Sequence, residues 1–240
     1  MRRFITLPVL LLAAAIAAQD RVPVDKSELL AKLDACGIKF KELGSYTMHS
    51  TLQAYTNATD PTPTEEATST VWYSGKSMKA EHLGVISYQN ERVCVTIDPE
   101  EQMVVLGEPG NSLGDLSATY REEVFGHAAS IDRAEVAGLV HYRARFAKGS
   151  DFVLIEYAFD KAGWLRRVET HWGVPVALAP DVHMSATVLP KVVIVMDAPV
   201  RIAPGSVKTT PDEAVAFEGR TAVLRKPYAH YTLIDNRAQP

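Results

Sequence analysis

The chain lacks the short motifs that mark the common catalytic and cofactor sites. It contains no G-x-S-x-G nucleophile elbow, no P-loop, no H-E-x-x-H pair and no dinucleotide-binding glycine pattern. The seven histidines are scattered, and only Asp181-x-His183 has the close spacing of metal ligands, whereas a metal site needs several converging donors. A hydrolase would need histidine and acidic groups that converge in a pocket, and the spacing does not show them. We therefore expect no catalytic residue, no metal and no cofactor.

Long apolar runs are absent beyond the N-terminus. Met1-Arg2-Arg3 is followed by an apolar stretch from Phe4 to Ile16 and by small residues at 15–17, which is typical of a secretory signal peptide. The stretch is about 13 residues long, whereas a spanning helix needs about 20. We predict that residues 1–18 are a cleavable signal peptide and that residues 19–240 form a single domain, soluble in the periplasm. An uncleaved N-terminal anchor is the alternative.

The chain also has no excess of basic residues. Lysine and arginine number 25 against 29 aspartate and glutamate, and the net charge of −4 disfavours a nucleic-acid partner. Hydrophobic residues make up 47% of the chain, which fits a globular protein rather than a disordered one.

Cysteine is scarce, with only Cys36 and Cys94. In an oxidising compartment these two could pair, and the loop they close would add up to ~4 kcal/mol of stability. Two independent small buried thiols explain them equally well. A catalytic pair is disfavoured because neither residue belongs to a C-x-x-C motif.

The hydrophobic periodicity predicts a mainly β protein with some helix. Ser27–Ala35 has the spacing of an amphipathic helix that Ser27 caps and Gly37 ends, and Ser45–Tyr55 alternates as a long strand. Further strands are predicted at 67–74, 77–81, 84–89, 92–97, 102–106, 136–146, 152–159, 165–172, 192–196, 222–224 and 228–234. Asp115–Ala129 is predicted as a second helix, with Leu116, Tyr120 and Val124 spaced by four. A tail from about residue 203 extends beyond this pattern.

The aromatic residues on the predicted strands allow two interpretations. They could fill a packed core, or they could line an apolar cavity. A sheet of many antiparallel strands has more apolar face than two helices ordinarily cover, so a curved sheet could hold a lipid-sized pocket beneath them.

Four segments carry characteristic short motifs: S-Y-x-M-x-S-x-L at 45–52, W-Y-S-G-K-S-M-K-A-E at 72–81, V-x-I-D-P-E-E-Q-M-V-V at 95–105 and F-D-K-A-G-W-L-R-R-V at 159–168. Together these segments resemble the outer-membrane lipoprotein carrier family, LolA and its LolB-like relatives. The order of a signal peptide, an amphipathic helix, a β meander and a helical interruption is similar too. The first long strand, Ser45–Tyr55, lacks the arginine that locks the lid of the carriers.

The resemblance implies an α+β fold in which a curved antiparallel sheet forms an unclosed barrel covered by helices. It implies a periplasmic, non-enzymatic carrier or binding protein for a lipid, an acyl chain or a lipoprotein, with a possible envelope protein as partner. The alternative is an envelope interaction or scaffold protein that uses the same fold with a filled core. The candidates for the cavity or its lid are Met48, Leu52, Trp72, Leu116, Tyr120, Val124, Tyr157 and Trp172.

Overall fold

The computed structural model describes residues 21–109, 124–174, 189–219 and 221–237. These residues form a mostly β fold with one α-helix and a large curved sheet that does not close into a barrel, so the predicted α+β unclosed barrel is confirmed. The helix α1 spans Lys26–Leu43. The strands are β1 Val22–Pro23, β2 Ser45–Tyr55, β3 Glu65–Ser74, β4 Ser77–His82, β5 Val85–Gln89, β6 Cys94–Asp98, β7 Met103–Gly107, β8 Ala128–Val136, β9 Leu139–Phe146, β10 Phe152–Phe159, β11 Leu165–Trp172, β12 Lys191–Met196, β13 Val200–Arg201, β14 Val215–Glu218, β15 Thr221–Leu224 and β16 Thr232–Asp235.

Two meanders join side by side to make the main sheet. Its described strands follow the order β1-β8-β9-β10-β11-β12-β2-β3-β4-β5-β6-β7-β16, and β13 pairs with β2. Strand β12 pairs antiparallel with β2 and so connects the second meander to the first. At the far edge β16 runs parallel to β7. The sheet is therefore mixed, with this one parallel pair among the described strands of a sheet that is otherwise antiparallel, as predicted.

Helix α1 is twice as long as the predicted helix Ser27–Ala35, and residues other than the predicted ones mark its two ends. The side chain of Asp25, not Ser27, caps the helix by accepting a hydrogen bond from the backbone N–H of Ser27. Gly37 lies inside the helix and does not end it. The residues after Gly37, including Phe40 and Leu43, are still helical and pack on the sheet. The helix ends at Gly44, whose φ of 71° suits a residue without a Cβ.

The strand predicted at 136–146 corresponds to β9, which begins only at Leu139. Strand β8 is an additional strand, joined to β9 by a turn in which Ala137 and Gly138 both have positive φ, as a type I′ hairpin requires. The predicted helix Asp115–Ala129 therefore ends too late, since Ala128 already belongs to β8. Val124 and Phe125 are helical, and the earlier part of that prediction lies outside the described residues.

The two faces of the sheet are covered by different parts of the chain. We call the face that packs against α1 the helical face and the other the opposite face. Clusters around Leu29 and Met48 hold α1 to the helical face. On the opposite face, Val95, Ile97, Val104 and Leu106 are fully buried against residues that include Val215. Residues beyond 203 thus pack on β5–β7 and add β16 to the sheet edge.

Candidate functional site

The helical face of five adjacent strands carries no charged side chain in the regular strand register. Following the pairing from β9 through β12 to β2, it presents Val140, Tyr142, Ala144, Phe146, Ile155, Tyr157, Phe159, Leu165, Val168, Thr170, Trp172, Val192, Ile194, Met196, Tyr46, Met48, Ser50, Leu52 and Ala54. Arg166 lies in a bulge between β10 and β11. On the opposite face the same five strands present His141, Arg143, Arg145, Glu156, Arg167, Glu169, His171 and Lys191. Alternation along the strands therefore separates an apolar surface from a charged one.

Helix α1 covers one end of the apolar surface. Phe40 and Leu43 pack on Tyr46 and Met48, and both of these side chains are only 5% exposed. Burial raises the pKa of the Tyr46 hydroxyl, which fits a packed position rather than a solvated one. Met48 is therefore core beneath the helix.

Further along the same face the apolar side chains are only half-buried, although Val168 and Ile194 still contact the cluster around Met48, and Phe146 and Tyr157 the cluster that includes Phe125. We call this surface the apolar strip; it consists of Leu52, Phe146, Phe152, Tyr157, Val168, Trp172 and Ile194. Tyr157, Val168, Ile194 and Leu52 form one continuous row across β10, β11, β12 and β2.

Aromatic rings extend the strip along β9 to β11. The ring centroids of Phe146 and Phe152 are 5.8 Å apart, and those of Phe152 and Trp172 are 6.2 Å apart. The Tyr157 ring lies 5.9 Å from that of the buried Phe125, which follows Val124. Such a surface binds apolar groups by excluding water, at roughly 25 cal/mol per Å² of apolar area buried.

The structure brings some of the predicted residues together and separates others. Leu52, Tyr157 and Trp172 share the apolar strip, and Val124 is half-buried beside Phe125. Trp72 lies on the opposite face: it pairs with Thr47 and Lys79, and the Lys79 ammonium is 5.0 Å from its ring centroid. Trp72 therefore cannot line one cavity with Met48 and Leu52. Leu116, Tyr120, Asp181, His183 and residues 1–18 lie outside the described residues.

Sequence reasoning missed Phe146, Phe152 and Ile194 as members of the strip. The alternation within each predicted strand indicates which of its residues lie on the same side, and this can be obtained from the sequence alone. It did not show which side of one strand continues on the next, because that depends on the register between strands.

The charged groups on the opposite face neutralise one another. Glu156 lies 2.7 Å from His141 Nδ1 and 2.5 Å from Arg143 Nε. Burial alone would raise the pKa of Glu156, but hydrogen bonds from His141 and Arg143 outweigh it and the pKa is lowered. Arg21 bridges Asp132 at 2.7 Å and Glu156 at 3.4 Å. The lowered pKa favours the ionised form of Glu156, which does not suit a general acid.

The two cysteines lie on different parts of the fold. Cys36 is buried between α1 and the strands that contribute Tyr142 and Phe159, while Cys94 is half-buried in β6 and pairs across the sheet with Gln89 and Gly107. Both are free thiols in the structure. Burial raises the pKa of each, so neither is an activated nucleophile.

Other site types find little support in the described parts of the chain. No group of three or more histidine, cysteine, aspartate or glutamate side chains there could hold a metal ion. No described helix combines the length and apolar character needed to cross a membrane. A groove of about 590 Å³ lies beside β3, β4 and β5, and its lining includes Glu66, Thr70, Glu81 and His82, so it is more polar than an acyl chain requires.

Comparison with known proteins gives distant structural likenesses only. No family model and no curated protein match the chain. A LolA superfamily protein from Nitrosomonas europaea is 13% identical with a TM-score of 0.34, covering 79% of this chain and 99% of its own. A putative outer membrane lipoprotein-sorting protein domain from Vibrio parahaemolyticus is 11% identical with a TM-score of 0.33, covering 77% and 95%. A DUF1329 family protein from Desulfovibrio piger is 9% identical with a TM-score of 0.33, covering 77% and 96%. Likenesses at this level do not identify a family.

Proposed function

We propose that this protein is a non-enzymatic binding protein of the periplasm that holds an acyl chain of a lipid or lipoprotein on the apolar strip. The observation that carries the proposal is the division of the helical face. Helix α1 buries Met48 and its neighbours, whereas Leu52, Tyr157 and Trp172 on the same uncharged face keep part of their surface accessible.

The chemistry of the strip fits an alkyl chain better than a polar ligand. The row from Tyr157 to Leu52 crosses four strands, which at about 4.8 Å between strands gives a length of about 14 Å. An alkyl segment along this row would cover Val168 and Ile194 without displacing an ion pair. In the regular register the charged side chains of these strands point to the opposite face, and Arg166 in the bulge is paired with Asp160 and the Met196 carbonyl, so the bound chain would meet no unpaired charge.

Purification from the periplasm followed by native mass spectrometry and organic extraction tests the proposal. We expect a population whose mass exceeds that of the chain by that of a lipid, and an extract that contains acyl chains. A homogeneous unliganded mass and a lipid-free extract, from protein never exposed to detergent, would instead indicate a filled interior and a scaffold role.

A further inference from the structure

Two lysines of α1 converge above the turn that joins β10 to β11. Lys32 and Lys39 are two helical turns apart, with their Cα atoms separated by about 10.5 Å along the axis. Nevertheless, both ammonium nitrogens lie close to one point: a Cβ added to Gly163 would be 3.4 Å from Lys39 Nζ and 3.7 Å from Lys32 Nζ. Gly163 has a φ of +84°, which favours glycine, so no side chain at this position contacts the two ammonium groups.

Aromatic rings and a backbone carbonyl hold the two ammonium groups in place. Lys39 Nζ donates a hydrogen bond to the Ala162 carbonyl and lies 5.3 Å from the ring centroid of Trp164. Lys32 Nζ lies 5.7 Å from the ring centroid of the buried Phe159. Cation–π contacts of this kind orient a cation without neutralising it.

The nearby carboxylate is already engaged by other groups. Asp160 Oδ1 accepts a hydrogen bond from the backbone N–H of Trp164, and Oδ2 lies 3.4 Å from Arg166 Nη1. Among the described residues, no carboxylate lies within ion-pair distance of either lysine nitrogen. Two like charges are thus brought together with no described carboxylate in ion-pair contact with either, an arrangement that an anion between them would stabilise.

We propose that Lys32 and Lys39 form a binding site for a phosphate-type anion, either a free phosphate or the phosphate of a lipid headgroup. A phosphate offers several acceptor oxygens, so one oxygen can receive a hydrogen bond from each ammonium group. The site goes beyond the proposed function, because it lies beside Phe159 and Trp164, at the opposite end of β10 and β11 from Phe152 and Trp172 of the apolar strip.

The test compares the binding of two probes by the full exported chain and by matched variants of it. Inorganic phosphate is titrated by calorimetry or by NMR of the lysine side chains, and sedimentation measures binding to vesicles of phosphatidylcholine with 20% phosphatidylglycerol. The variants are Lys32→Gln, Lys39→Gln and, to keep the charge, Lys39→Arg. Lys41→Gln is the control, because it removes the same charge from the exposed last turn of α1.

We expect Lys32→Gln and Lys39→Gln each to weaken binding of at least one probe by about tenfold or more, and Lys39→Arg and Lys41→Gln to change it by less than about threefold. Loss of phosphate binding assigns the free anion, and loss confined to vesicles assigns the headgroup. Equal losses in Lys41→Gln, or no variant-dependent binding of either probe in folded proteins, would overturn the proposal. If Lys39→Gln does not fold, Lys32→Gln decides alone.

Discussion

His171 Nε2 lies 2.6 Å from Oε1 of Glu169. The two residues are two positions apart in β11, so both side chains lie on the opposite face of the sheet. The hydrogen bond from His171 is the largest of the effects that lower the pKa of Glu169 from its ordinary value of 4.5 to about 2, and Arg167 adds a second. A carboxyl group whose pKa is lowered on folding stabilises the protein above the unfolded pKa. That stability is lost as the pH falls toward the folded pKa.

We expect the free energy of unfolding to decrease as the pH falls from about 4.5 to 2, with Glu169 contributing up to about 3 kcal/mol. Glu169→Gln should lower stability at pH 6 and flatten the dependence below pH 4.5. Urea unfolding across this pH range measures both effects, with Glu135→Gln as the control because Glu135 is exposed in β8. Parallel pH profiles of the wild type and Glu169→Gln would show that the carboxyl is not stabilised in this way.

Gly37 and Gly44 provide opposite expectations for the same substitution. Gly37 lies inside α1 with open space where a Cβ would be, so Gly37→Ala should stabilise the protein by about 0.5–1 kcal/mol. Gly44 ends the helix at a φ of +71°, so Gly44→Ala should destabilise it by about 1 kcal/mol. Thermal unfolding of the two variants tests this. A loss of stability in Gly37→Ala would contradict the position assigned to Gly37.

The C-terminal segment should be required for stability. Val215 is fully buried against β5–β7, whereas Val223 in the same hairpin is 41% exposed. We expect Val215→Asp to cost at least about 3 kcal/mol, because it buries an unpaired charge, and Val223→Asp to cost less than about 1 kcal/mol. Denaturant unfolding provides the comparison. Equal effects would mean that the hairpin does not pack on the sheet as described.

Strong alternation made several strands predictable. Ser45–Tyr55, Phe152–Phe159 and Leu165–Trp172 were predicted with their observed bounds, since each alternates over a full strand between turn residues. Strand β8 was missed because Asp132 and Arg133 interrupt its apolar pattern, and Asp132 is buried only because Arg21 and Arg145 from elsewhere pair with it.

Long-range relations could not be obtained from periodicity. The parallel pairing of β16 with β7 joins residues far apart in the chain. The position of Trp72 on the opposite face likewise depends on its partners Thr47 and Lys79 in neighbouring strands. For the candidate site, the sequence predicted Leu52, Tyr157 and Trp172, whereas the aromatic contacts of Phe146 and Phe152 required the register of three strands.

The thiols provide a simple chemical test of the structure. Because Cys36 and Cys94 are both free and burial raises the pKa of both, we expect slow labelling in the native state and two labelled thiols per chain after denaturation without reductant. Mass spectrometry of the labelled protein counts them. A protein made in the periplasm with no reactive thiol after denaturation would mean that the two residues pair after all.

The proposed acyl-binding role depends most directly on Leu52. Leu52→Asp places a charge on the apolar strip, and Val195→Asp is its matched control, because Val195 is 40% exposed on the opposite face of the adjacent strand β12. Leu52→Ala is included in case the aspartate variant folds poorly. The measurement is the amount of acyl chain extracted per mole of folded protein, with unfolding followed on the same preparations. We predict that Leu52→Asp loses most of the bound lipid, Leu52→Ala loses part of it and Val195→Asp retains it. An unchanged lipid load in folded Leu52→Asp, or an absence of lipid in the wild type, would contradict the account.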